Sequence, residues 1–186
     1  MKDLSRPGGA STRLFPSTLL IVLLAVISCT PVSPAGGEAP AFRLEAVDGS
    51  QVGLADYQGQ LVLLDFWATW CAPCHAQAEI LLDIYPDYKD RGFEILSIDV
   101  EEPPDQVRSF VESKGYPYPV LLDETGEVSL GFDVLALPTL VLVDGSGEMV
   151  YHHPGITSEN TLRDLIEEHL PEASPEDSAK ASAEET

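Results

Sequence analysis

Two cysteines separated by two residues, Cys71 and Cys74, follow the apolar run Leu61–Trp67 and the short connection Ala68-Thr69-Trp70. A strand that delivers Cys-x-x-Cys to the start of a helix is a redox arrangement, because sulfurs in a first helical turn can close a disulfide and reopen it. Cys71 would face the unpaired amides and the positive dipole end of that helix, which stabilise a thiolate. That makes Cys71 the expected attacking nucleophile and the more exposed sulfur. Cys74, one turn in and more buried, is the expected resolving thiol. Pro73 falls in the first turn, where its missing N–H costs nothing. A bare Cys-x-x-Cys is as often half of a zinc site, so the pair alone leaves both chemistries open.

The elements that must position these residues can be read from periodicity. Leu61–Trp67 is continuously apolar, as expected of a central strand covered on both faces. The helix after Cys74 carries Ile80, Leu81, Ile84 and Tyr88 on one buried face, and Pro86 should kink or end it. Phe93–Val100 reads as a second strand. Pro103-Pro104 opens a helix with Val107, Phe110 and Val111, closed by Lys114-Gly115. Pro119–Asp123 is a third strand. Thr139–Val143 is a fourth, turned by Asp144-Gly145-Ser146-Gly147 into Glu148–His152. Thr157 or Ser158 caps a last helix carrying Leu162, Leu165, Ile166 and Leu170. Upstream, Phe42, Leu44 and Ala46 alternate with Arg43 and Glu45, and Asp48-Gly49 turns the chain into Gln51–Leu54, an N-terminal hairpin. Alternating strands and helices ending in a hairpin and a helix predict an α/β fold, a mixed central sheet with helices on both faces.

The 186 residues fit one domain with extensions. Residues 1–28 read as a processing signal: Lys2, Arg6 and Arg13 lead an apolar stretch, Leu14–Ile27, that is short for a membrane span. Residues 29–39 are Pro/Gly-rich and read as a tether, 40–170 as the domain, and 171–186 as an acidic, disordered tail. Beyond residue 28 the chain holds 7 basic and 30 acidic side chains, which argues against nucleic-acid binding and against electrostatic adhesion to an anionic bilayer. Of the three cysteines only Cys29 lies outside the pair, so if Cys29 is modified the fold has no further disulfide to rely on.

The segment Trp70-Cys71-Ala72-Pro73-Cys74, with its strand and helix, resembles the thioredoxin superfamily, and the wider pattern over Ala41–Leu170 is most similar to its extracytoplasmic TlpA/ResA-type thiol–disulfide oxidoreductases. The resemblance implies a thioredoxin-like fold with an N-terminal β-hairpin and a central insertion. It implies an active loop of Trp70, Ala72 and Pro73 between and beside the sulfurs. Leu137-Pro138-Thr139 resembles the family's substrate-binding proline loop, which implies a cis bond before Pro138; on the residues alone, a trans proline opening the strand is as good a reading. Asp65, six residues before Cys71, resembles the buried Asp that accepts the resolving thiol's proton in thioredoxins, a task that a raised pKa suits. The alternative is a strand-end carboxylate that reaches solvent. Trp67 reads as core and His75 as an exposed surface residue. His152 and His153 point to opposite faces of a strand and make no bidentate metal site. Two positions depart from the ResA pattern: Gln77 stands where a Glu is expected, and Glu79 where Pro is frequent.

Val26-Ile27-Ser28-Cys29 resembles a bacterial lipobox, implying lipid on Cys29 and attachment to a membrane of the cell envelope on its extracytoplasmic side. The partners implied are exported proteins with thiols or disulfides, including apocytochrome c, and a membrane thiol-reducing electron donor. No cofactor beyond the dithiol, no metal, no nucleic acid and a monomeric state are expected. The direction of electron flow stays open, with an oxidase or isomerase as the alternative to a reductase. A peroxiredoxin needs Thr three residues before its reactive Cys, and Ala68 occupies that place. A copper chaperone of this fold uses a wider Cys-x-x-x-Cys pair and a distant His.

Overall fold

The structure is a computed structural model and describes residues 36–171. Its centre is a seven-stranded mixed sheet in the order β2-β1-β5-β4-β3-β6-β7. The strands are β1 (Arg43–Ala46), β2 (Gln51–Gly53), β3 (Leu61–Trp67), β4 (Phe93–Val100), β5 (Val120–Asp123), β6 (Thr139–Val143) and β7 (Met149–Pro154), and the helices are α1 (Ala72–Tyr88), α2 (Pro104–Lys114), α3 (Glu127–Gly131) and α4 (Glu159–His169). β3, β4 and β5 run parallel, while β1, β2, β6 and β7 are joined antiparallel.

β3 is buried along its whole length, as its uninterrupted apolar run predicts. Its two faces feed different cores. Leu61 and Leu63 pack with Leu81, Ile84, Tyr85 and Tyr88 of α1 and Leu162 and Ile166 of α4. Val62, Leu64 and Phe66 pack with Leu96, Ile98, Val141 and Phe132 on the opposite face. Each fully buried side chain of this size contributes roughly 1.5–3 kcal/mol. Helices cover both faces unequally: α1, α2 and α4 lie on the first, whereas α3, a 3-10 turn (Leu54–Tyr57) and the N-terminal segment close the second.

The predicted insertion is α2 with β5: it leaves β4, crosses back and adds β5 parallel to β4, and the β1–β2 hairpin extends the sheet from there. Gly53 ends that hairpin where a Cβ would lie 2.5 Å from the Phe42 carbonyl oxygen, so only glycine fits. Residues read as the end of a tether are part of the sheet's margin: Ala39 N–H donates to Gly147 O and Met149 N–H to Gly37 O, both at 2.9 Å.

Two helix expectations need correction. α1 runs through Pro86 to Tyr88, because Pro86 lies on the solvent side and the helix ends within a turn, with Lys89 N–H donating to Tyr85 O. Its buried stripe is Cys74, Gln77, Ala78, Leu81, Ile84, Tyr85 and Tyr88, which leaves Ile80 at the edge, half-buried. The short α3 carries no periodic signal. It forms because Asp123, at the end of β5, accepts the N–H groups of Val128 and Ser129 at 3.3 and 2.8 Å. Cys29, the lipobox and most of the acidic tail lie outside the described residues. Among the described residues no helix is long and apolar enough to cross a membrane.

Candidate active site

β3, β4 and β5 end at the same edge of the sheet, and the loops that leave them carry the polar residues of the site. This is where open α/β sheets hold their ligands. β3 hands over through Ala68-Thr69-Trp70 to Cys71, which is the N-cap of α1, and its sulfur accepts the Cys74 amide at 3.3 Å. Pro73 lies in the first turn, as expected. Cys71 and Cys74 are joined in a disulfide with an S–S distance of 2.06 Å. The expected contrast in exposure is small: Cys71 is 4% and Cys74 2% exposed. Both pack with Trp67, Ala68, Val107, Val120 and Leu122, because the insertion covers the loop from the side. The surface around the pair is supplied by Trp70, 72% exposed, and by Ala72 and Pro73, also exposed.

The Leu137–Pro138 bond is cis. Leu137 is half-buried and packs on the cluster that holds both cysteines, so the proline loop faces the disulfide. Pro138 and Thr139 are buried. The Thr139 hydroxyl donates to Ala136 O, and Pro138 O accepts Gly155 N–H, both at 2.7 Å. Neither of those groups is free for a peptide, which narrows the expected contacts of this loop to its Leu137 end.

Asp65 is buried, 2% exposed, on the face of β3 that looks toward α1. The solvent-reaching alternative is therefore excluded. Its Oδ2 accepts the Ser97 hydroxyl at 3.3 Å, and its Oδ1 has no partner. Burial pushes its carboxyl up to about 7, opposed only by the Ser97 bond.

Gln77, one turn beyond Cys74, is wholly buried. Its side-chain carbonyl accepts Thr157 N–H at 2.7 Å, while its amide nitrogen has no partner. Thr157 lies two residues after Gly155, which holds Pro138, so this neutral side chain ties the cysteine helix to the loop behind the proline. His75 is half-buried rather than a free surface residue: its Nε2 donates to Thr69 O at 2.9 Å and its ring stacks on Phe110. Among the described residues no group of three or more His, Cys, Asp or Glu could hold a metal.

Sequence reasoning missed a second polar cluster beside the same loop. Glu102, just past β4, is 6% exposed. Its carboxylate accepts the Thr69 N–H, the Thr69 hydroxyl at 2.7 Å and the Gln106 amide. Asp99, the penultimate residue of β4, is 1% exposed, and so is Asp123 of β5. Burial first, then a hydrogen bond to Glu102 and the charges of Glu102 and Asp123, push the Asp99 carboxyl up to about 9. The available signal was an Asp inside the apolar strand Phe93–Val100, the same signal that singled out Asp65.

A dithiol pair that caps a helix, a cis proline loop packed against it and this sheet define a thioredoxin-fold thiol–disulfide oxidoreductase. Residues 35–152 match the AhpC/TSA family, and the chain belongs to that thioredoxin-fold family. It is 36% identical over 168 residues to the thiol-disulfide oxidoreductase ResA of Geobacillus kaustophilus, covering 86% of this chain and 94% of that one. It is 35% identical over 140 residues to ResA of Bacillus cereus, covering 75% and 79%. A proposed thiol:disulfide interchange protein DsbE from Chlorobium tepidum superposes with a TM-score of 0.69 at 28% identity, over 73% of this chain and 96% of that one. The pneumococcal exposed lipoprotein thioredoxin Etrx1 of Streptococcus pneumoniae superposes with a TM-score of 0.62 at 29% identity, over 69% and 99%. The chain is thus an enzyme, a thiol–disulfide oxidoreductase of the ResA/DsbE type.

Proposed function

We propose that this enzyme is a membrane-tethered reductase that returns disulfides of exported proteins to thiols, apocytochrome c among them, and is itself re-reduced by a membrane thiol donor. The observation that carries the reading is the Cys71–Cys74 disulfide at the start of α1, with exposed Trp70 on one side and Leu137 packed on the other. In the reduced enzyme the Cys71 thiolate attacks a substrate disulfide. One S–S bond forms between Cys71 and the substrate, and the substrate's second sulfur leaves as a thiolate. Cys74 then passes its proton to Asp65 and attacks Cys71 Sγ. The Cys71–Cys74 bond closes, and the first substrate sulfur leaves and takes a proton. Two electrons have moved from the enzyme to the substrate, and no organic cofactor or metal is needed. A carboxyl that burial lifts to about 7 can receive a thiol proton near neutral pH.

Attachment to the extracytoplasmic side of an envelope membrane would come from lipid on Cys29. The test of the whole reading is capture: a Cys74→Ser protein expressed in its native envelope should accumulate mixed disulfides through Cys71. Recovery of no more protein than the Cys71→Ser/Cys74→Ser double variant recovers would contradict it. Mass spectrometry of membrane-extracted protein should find a diacylglyceryl group on Cys29, and an unmodified Cys29 would contradict the tether.

A further inference from the structure

Thr69, two residues before Cys71, has all three of its polar groups engaged. Its N–H and its hydroxyl donate to Glu102, the hydroxyl at 2.7 Å, and its carbonyl accepts the ring N–H of His75 at 2.9 Å. Both ties lead on to α2. Gln106, in the first turn of α2, donates to the same Glu102 oxygen as the Thr69 hydroxyl, and to that hydroxyl itself at 2.8 Å. The His75 ring stacks on Phe110 at 5.3 Å. Gln106 and Phe110 are four residues apart and share one side of α2. Val107, between them in sequence, is buried in the cluster that holds both cysteines.

The backbone aims Glu102 at this place. Glu101 is held in the left-handed region, at φ 58°, a conformation that a residue with a side chain keeps only where its surroundings fix it. Its N–H donates to Asp123 O, at the end of β5, at 3.0 Å. The turn carries Glu102, 6% exposed, back onto Thr69. A carboxylate offers acceptors alone, and here three donors converge on its two oxygens.

We infer that Glu102 is a positioning residue of the exchange reaction: it pins Thr69 to α2 and so fixes the loop that presents Cys71 at the start of α1. It works through Thr69, by geometry and not by charge. The inserted α2 is thereby the anchor of the nucleophile's loop. Without Glu102, Thr69 keeps the His75 tie and the weaker bond from Gln106, and Cys71 attacks from a looser arrangement. The inference rests on exchange through Cys71 in either direction, which the capture experiment tests separately.

The test uses the full chain in detergent, with Cys29→Ser in the parent and every variant so that only the reactive pair exchanges. The rate of exchange with a disulfide-bonded model peptide is measured over a range of peptide concentrations for Glu102→Ala and Glu102→Gln. In Glu102→Ala the maximal rate should fall roughly tenfold or more, because small displacements of an attacking group are costly. Half-saturation should stay within about twofold, since Glu102 is buried behind the loop and not on the peptide's path. Glu102→Gln should recover most of the lost rate: its amide oxygen still accepts the Thr69 N–H, and its NH2 group can donate to the Thr69 hydroxyl. Equal changes in the two variants would make the charge of Glu102 the cause and overturn the inference. An unchanged rate in Glu102→Ala, or a loss confined to half-saturation, would overturn it as well. Amide hydrogen exchange in the parent needs no variant to fold: the Thr69 N–H should be protected, and exchange at the rate of an open chain would show that Glu102 does not hold it.

Discussion

Asp65 and Asp99 occupy related places and behave differently. They lie on adjacent parallel strands and on the same face, with Asp65 level with Ser97 and Asp99 level with Trp67. Asp65 meets one hydroxyl and is lifted by burial to about 7. For Asp99, burial first and then the influence of Glu102 and the charge of Asp123 take it to about 9. Burial alone leaves a group able to exchange a proton near neutrality, which suits work on Cys74. Burial beside like charge leaves a group that keeps its proton.

The largest effect that separates them is kinetic. Asp65→Asn should slow resolution of the mixed disulfide by about a hundredfold or more and flatten its pH profile near 7. Asp99→Asn at neutral pH should leave that rate within about twofold, because an acid that burial keeps neutral has no charge for the amide to remove. Rapid-mixing measurement of Cys74 attack checks both, and equal losses in the two variants would erase the distinction.

Stability comes next. For both acids the folded protein holds a proton that the unfolded chain releases near 3.8. Stability therefore falls as pH rises through that window, until each group has ionised in the folded state as well. Lifting Asp65 from 3.8 to about 7 corresponds to a cost of roughly 4 kcal/mol above pH 7. Asp65→Asn should recover part of that cost at pH 8 in a urea melt. It should leave untouched the decline that continues toward pH 9, which only Asp99→Asn removes. A decline between pH 7.5 and 9 that survives Asp99→Asn would contradict the assignment.

Two smaller effects sharpen the picture. Gln77→Ala strands the Thr157 N–H in a buried site and should cost about 1–3 kcal/mol by denaturant unfolding, against little change for an exposed neighbour such as Glu79→Ala. Ser97→Ala removes the only hydroxyl on Asp65. It should raise the Asp65 pKa further and change stability at neutral pH by about 1 kcal/mol, as seen by carboxyl-selective NMR titration.

Much of this was legible in the residues, for identifiable reasons. The bounds of β3, β4 and β6 follow from mostly apolar runs, broken by Asp65 in β3 and by Glu94, Ser97 and Asp99 in β4. α2 follows from Pro104 at its start and Gly115, with φ 70°, at its end. The capping position of Cys71 follows from a strand meeting Cys-x-x-Cys. The resemblance added the cis proline, which the residues alone left undecided, and marked the α2–β5 unit, already read from its residues, as an insertion. What stayed hidden depends on contacts between distant segments. α3 exists because Asp123 caps it. His75 is tied down because Phe110 of the insertion lies against it, and Cys71 is covered by that same insertion. Glu102 reaches Thr69 across 33 residues of sequence, and nothing local to Glu101-Glu102 announces it.

The central claim is that the Cys71–Cys74 pair works as a reductant, and its reduction potential tests that most directly. Equilibration of the protein with glutathione or dithiothreitol should give a value near thioredoxin's, about −270 mV or lower. A value near that of DsbA, about −120 mV, would make the enzyme an oxidant that introduces disulfides and would contradict the account.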